Sequence, residues 1–355
     1  MSRAHHRRAL SVRGIGWIAL AAGLAVSPWI HSISPAFLAI PLLASILVLG
    51  LPHGALDHRT AALLWPLSAT ANQILFYAVY LALAGCYLWL WFIDPLAAFV
   101  FFLILTVFHW GQGDVDFENR RDPGEGGLRK HPILMTFVRG GAPVFLPVLF
   151  WPGVVETVAG WVFALFPSSF LTADQAPPAI PLALRIPLGA VYFSAVAWAL
   201  VVEIRSKTFH SKTRTGGSGI TDSLGETVGL VLFFSFVHPL LAISLYFPFW
   251  HGLRHLDGLR VDLSAGRGPL GWRDILLASV PLTLVSIVMM AALGILAAGE
   301  WTPPSIAGLY LVLLAILTLP HAVVVGARDH FGPGARRVPG PFSPETKTRN
   351  QTRHA

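Results

Sequence analysis

The sequence predicts an all-α fold, a polytopic integral membrane bundle of roughly eight to ten helices with one of them Pro-broken or re-entrant. Three observations carry this. Of 355 residues, 54% are hydrophobic and only 12% charged, with a mean hydropathy of +0.64, whereas a soluble domain carries about twice that charged fraction. Too few polar side chains remain to cover a water-facing surface, so the exterior must meet lipid. Long runs free of Asp, Glu, Lys and Arg recur along the whole chain, and a bilayer crossing needs about 20 mainly apolar residues. The runs also lack the alternation of half-buried strands, and a helix satisfies its own backbone in lipid.

Four arginines in Arg3–Arg13 precede the first run, Gly14–Ile30. That run has no small-residue cleavage pattern, and a second run, Ser32–Pro52, follows directly. It therefore reads as an uncleaved first helix behind a basic cytoplasmic tail, residues 1–13, with the N-terminus inside a cell membrane. Thr60–Ile93 and Pro95–Gly113 come next, then the basic loop Arg120–Lys130. Gly140–Val155, Thr157–Ala173 and Ile186–Val202 lead to a second basic loop, Arg205–Arg214. With Val154–Phe166 lying in the interface instead of spanning, counting crossings from the N-terminus puts both loops inside, as the positive-inside rule requires.

The segment Leu224–Trp250 breaks this regularity. Arg254, Arg260, Arg267 and Arg273 follow it and favour the inside, which a single crossing forbids. Pro239 and Pro248 lie within it, and each removes a backbone donor. We expect a broken or re-entrant element enclosed by protein. Ile275–Gly299 and Trp301–Ala327 complete the spans, so that 14–328 forms one transmembrane domain and 329–355 a disordered basic tail.

The single cysteine, Cys86, rules out a disulfide framework, a Cys-ligated zinc site and an iron–sulfur cluster supplied by one chain. The basic residues behind the net charge of +7 cluster in tails and loops, the signature of membrane topology and not of a nucleic-acid partner. Metal chemistry must then use histidine and carboxylates.

Fourteen histidines are many for such a chain, and imidazole at membrane depth is costly unless paired, hydrated or metal-bound. Four clusters place it at the ends of apolar runs: Pro52-His53-Gly54-Ala55-Leu56-Asp57, His109-Trp110-Gly111-Gln112-Gly113-Asp114, Trp250-His251-Gly252-Leu253-Arg254-His255 and Pro320-His321. Repeating that cost favours a shared site. His251 and His255 stand four apart, on one face of a helix and close enough to share an ion. Gly252 occupies the place where a zincin carries its Glu base, so the motif is not a metalloprotease one.

A carboxylate beside a ligating imidazole accepts its second N–H and fixes its tautomer. Asp57, four residues after His53, and Asp114, five after His109, are assigned that part. His321 and His238 are further supporting candidates, His238 because it precedes Pro239 in the broken segment. Neutral imidazoles suit iron, copper or zinc, so the donors alone do not choose the metal.

Taken in order, these motifs, with Tyr246-Phe247 ahead of the third, resemble the Brp/Blh family of β-carotene 15,15′-dioxygenases from about the second span to the last. The resemblance implies an iron(II)-dependent, multi-pass membrane enzyme that cleaves the central double bond of β-carotene with O₂ to give two retinal molecules. It also implies that His53, His109, His251 and His255 are the iron ligands. Gly252 departs from the family pattern, where Ser is commoner, so no polar contact is carried to it. β-Carotene and O₂ are then the substrates, the lipid bilayer is the medium, and a rhodopsin is a candidate recipient of the retinal. Phe99, Phe101, Phe102, Phe233, Phe234, Phe236, Tyr246, Phe247 and Phe249 are candidates to line a polyene tunnel.

Two other classes fit parts of the pattern. A membrane transporter for a metal ion or small solute also uses helix-end histidines and a broken span. A membrane iron oxygenase of the desaturase or hydroxylase type uses histidines too, but in more and denser boxes. A rhodopsin needs an intramembrane Schiff-base lysine, and the only lysines, Lys130, Lys207, Lys212 and Lys347, lie outside the clear spans.

Overall fold

The computed structural model describes residues 2–30, 32–45, 47, 50–121, 131–166, 179–210, 219–265, 268–296 and 301–331. In chain order the elements are α1 (Ser2–Ile30), α2 (Pro35–Ser45), α3 (Leu51–Gly54), α4 (Asp57–Ala61), α5 (Thr70–Ile93), α6 (Pro95–Arg121), α7 (Pro132–Phe150), α8 (Pro152–Phe163), α9 (Leu182–His210), α10 (Gly219–Phe236), α11 (Pro239–Tyr246), a π-helical turn (Phe247–Gly252), α12 (Leu253–Ser264), α13 (Trp272–Leu296) and α14 (Pro303–Phe331). Six of them begin at proline, whose fixed φ suits a first helical turn and whose missing N–H costs nothing there. Among the described residues there is no strand. The fold is an all-α polytopic membrane bundle.

Among the described residues, seven helices, α1, α5, α6, α7, α9, α13 and α14, are long and apolar enough to cross a membrane. The apolar helices at Pro35–Ser45 and Ser223–Phe236 are shorter. α8, in the region expected from Thr157–Ala173, has only 12 residues, too few to cross. Large apolar side chains such as Ile18, Trp29, Ile74, Trp89, Ile133 and Val288 stand on the outside, as a lipid-facing surface requires.

Burial orders the bundle. In α14, 72% of the apolar window is enclosed by protein, against 17% in α5 and in α13. α14 is thus the central post, with α2, α5, α6, α8 and α13 against it. α6 and α7 make the closest approach. A Cβ added at Gly140 would lie 1.9 Å from the Val107 carbonyl oxygen, and one at Gly111 would lie 2.1 Å from that of Thr136. Only glycine lets the two backbones meet there.

The expected break is present. α10 ends at Phe236, Val237 and His238 leave the helix, and Pro239 starts α11. Pro248 falls in the π-helical turn, where the looser i→i+5 winding inserts an extra residue per turn.

The basic stretch is continuous with α1 from Ser2, and Arg13, assigned to the tail, is buried with its Nε 2.7 Å from Glu226 Oε1. An interior carboxylate draws it in. Most of the expected C-terminal tail, from 332 onward, and parts of both basic loops, 122–130 and 211–218, lie outside the described residues.

Candidate metal centre

Five imidazoles from separate stretches of chain converge. His53 is carried by the short helix α3, His109 by α6, His251 by the π-helical turn, His255 by α12 and His321 by α14. All five are buried. His53 has ring centroids 4.9 Å from His321, 5.6 Å from His251 and 5.7 Å from His255. His109 lies 4.7 Å from His321 and 5.0 Å from His251. His255 lies 5.3 Å from His321.

Local structure sets the orientation of two rings. His53 Nδ1 faces the carbonyl oxygen of Gly50, which can only accept, so Nδ1 carries the proton and the lone pair is on Nε2. His321 Nδ1 lies 2.7 Å from Asp57 Oδ1, and the same reasoning bares its Nε2. One nitrogen each of His53, His109 and His321 lies within 4.8 Å of the other two, a group able to hold a metal ion.

The donor chemistry fits such an ion. Both ring nitrogens of His109, and Nε2 of His251, His255 and His321, have no hydrogen-bond partner among the described residues. An unpartnered buried polar atom costs about 1–3 kcal/mol, and a cation taking one nitrogen from each of several of these rings would relieve much of that cost. Only neutral nitrogen donors converge, a set for a borderline transition metal and not for calcium or magnesium.

The supporting candidates divide. Asp57 does not pair with His53 four residues before it. The chain turns through Ala55 and Leu56 between α3 and α4, which ends the shared face that this spacing has on one helix. Instead Asp57 grips His321 and accepts a hydrogen bond from the Tyr80 hydroxyl at 2.7 Å. Asp114 stands on the uninterrupted helix α6, where five residues rotate a side chain by about 140° from His109. It accepts from Trp250 Nε1 at 3.1 Å and from Arg254 Nη1 at 3.1 Å. His238 packs edge-on against Trp151, with ring centroids 5.5 Å apart, and is not one of the clustered imidazoles.

Asp114 belongs to a buried ionic group that the motifs did not suggest. Glu226 Oε1 takes Arg13 at 2.7 Å and Arg254 at 2.8 Å, while its Oε2 takes Arg139 at 2.9 Å. Arg254 also lies over the Trp250 ring, 3.7 Å from its centroid. A second group joins Asp116 of α6 to Arg120 and to Arg328 of α14, and Arg120 to Asp262 of α12, at 2.6–2.8 Å. Three of the helices that carry imidazoles are thereby held in register. Arg254 was legible as part of the His251–His255 motif; Tyr80 and Glu226 carried no local signal.

Apolar space flanks the cluster. His53, Asp57 and His321 form part of the wall of a cavity of about 250 Å³ whose remaining lining is mainly aliphatic and aromatic. Of the aromatic candidates, Phe99, Phe102 and Phe247 line a second cavity. Phe233, Phe234 and Tyr246 are core side chains, and Phe236 faces outward.

Asp57→Asn should weaken metal retention by about 10- to 100-fold, because the imidazole it orients loses its anionic acceptor. Metal content per chain after dialysis against a chelator measures this. Retention equal to the parent would show that Asp57 has no part in holding the ring.

A family model described as "Beta-carotene 15,15'-dioxygenase" matches residues 44–329, which include all five histidines. The chain is 32% identical to the probable β-carotene 15,15′-dioxygenase Blh of Halobacterium salinarum, over 92% of this chain and 95% of that protein. The probable β-carotene 15,15′-dioxygenase Brp of the same species is 27% identical, over 90% and 92%. A β-carotene 15,15′-dioxygenase of an uncultured marine bacterium is 26% identical, over 61% and 67%. No solved structure matches the chain.

Proposed function

The chain belongs to the β-carotene 15,15′-dioxygenase family, and from that premise we propose that it cleaves the central double bond of β-carotene with O₂, giving two retinal molecules, at an iron(II) ion. His53, His109, His251 and His255 hold the ion, and His321 stands as a fifth nitrogen beside them. The observation that carries this reading is the convergence of buried, unpartnered imidazole nitrogens next to almost wholly apolar space.

Bound there, ferrous iron supplies the activation of O₂ that side chains cannot provide. The protein's part is to place and to exclude. Cleaving one C=C with O₂ puts one oxygen atom on each new aldehyde and neither takes up nor releases a proton, so no acid or base is needed at the reacting bond. Phe247 and Trp110, against the His53 and His251 rings, keep that space dry. Tyr80 and Asp57 hold His321 in one tautomer. The enzyme sits in the cell membrane with its N-terminus cytoplasmic, by the distribution of its arginines.

The test is expression in β-carotene-producing cells. Loss of colour with formation of retinal is expected. Full colour and no retinal, with the protein present in the membrane fraction, would overturn the reading.

A further inference from the structure

Apolar cavities lie on two flanks of the imidazoles, the first of them beside His53 and His321. Its lining shares Phe76 and Tyr80 with an adjoining cavity of about 360 Å³, which runs between α5 and α14 to the exposed side chains Leu75, Val79 and Val323. On the other flank, a cavity of about 140 Å³ is bounded by Trp110 and Phe247. The Phe247 ring lies 5.3 Å from that of His53, and the Trp110 ring 5.7 Å from that of His251. This inner cavity shares Phe99, Leu103 and Val148 with one of about 690 Å³ among α6, α7, α8 and α9, where Ile104, Ile133 and Leu184 are exposed. Leu314 of α14 lines both inner cavities.

Apolar space therefore runs from the lipid-facing surface to the imidazoles on one side, and away from them to the lipid-facing surface on another. A site that trimmed the end of a chain would need one deep arm and a closed stop. Here each flank continues outward.

We propose that these cavities form a single two-armed slot, in which the two halves of one extended apolar polyene occupy different arms and the bond lying between the arms is the one cleaved. The proposal rests on the dioxygenase reading and deepens it. Met289 on the α5–α14 arm and Leu103 on the other then act as specificity-determining residues, since each lines its arm without belonging to the imidazole group. Each aldehyde is formed in its own arm and leaves by its own opening.

The test uses Met289→Trp and Leu103→Trp in the full-length, iron-loaded protein, with two substrates: β-carotene, and an apocarotenal that keeps one ring-bearing half and has the other half shortened. Each variant should lose β-carotene turnover by about 100-fold, because the intact molecule can no longer set its middle bond at the site. Each should keep most of its turnover of the shortened substrate, whose short half fits the narrowed arm, and the double variant should lose both. β-Carotene binding by metal-free protein, read from the visible absorption of the bound polyene, should fall in both single variants. Equal loss of both substrates in either single variant, or turnover of β-carotene unchanged in either, would overturn the two-armed slot. An unaltered chain that cleaves neither substrate would instead overturn the dioxygenase reading.

Discussion

Replacing His109 by alanine is expected to remove both bound iron and retinal formation while the protein still inserts. The reason lies in what His109 does not do. Neither of its ring nitrogens has a hydrogen-bond partner among the described residues, so the substitution breaks no internal polar contact, and its consequence falls on the ion. Loss of a residue that merely orients a ligand costs about 10- to 100-fold, so loss of a ligand itself should exceed that range. His109→Gln, which keeps most of the volume, separates ligation from packing and should fail equally. Retinal formation in β-carotene-producing cells and iron per purified chain are the measurements. Normal iron content with normal turnover in either variant would remove His109 from the centre.

The second large effect is on stability. Glu226 is fully enclosed and holds Arg13, Arg139 and Arg254 at 2.7–2.9 Å. Glu226→Ala removes the carboxylate that three guanidinium groups share and leaves Asp114, 3.1 Å from Arg254 and 3.7 Å from Arg139, to compensate for it in a setting where charge is poorly solvated. Removing one member of a buried pair costs about 3–5 kcal/mol. We expect a large drop in Tm in detergent and in the yield of inserted protein, with Glu226→Gln, which retains hydrogen-bonding oxygen and nitrogen, losing less. A Tm unchanged by the alanine variant would show that the arginines find other partners.

How much of this could be read from the chain depends on distance along it. The membrane class follows from composition, and the break at Val237–His238 followed from Pro239 because proline acts on its immediate neighbours. The histidine clusters were visible for the same reason: each is local, and its cost in lipid is independent of the fold. Pairing was not local. Asp57 and His321 are 264 residues apart, and no spacing rule connects them. Spacing misled where the backbone departs from one helix, as between His53 and Asp57, or where five residues on an uninterrupted helix turn two side chains apart, as between His109 and Asp114. Arg13 looked like a charge beside a membrane because its partner, Glu226, lies on another helix.

The position of α14 bears on how the protein is made. This most enclosed helix carries His321 and leaves the ribosome after every other described helix, so earlier spans must enter the bilayer around a gap. Under the proposed reading, iron captured before that last insertion would meet an incomplete set of nitrogens. We therefore expect loading to follow translation, so that starvation for iron during synthesis is repaired by supplying it afterwards, without new protein.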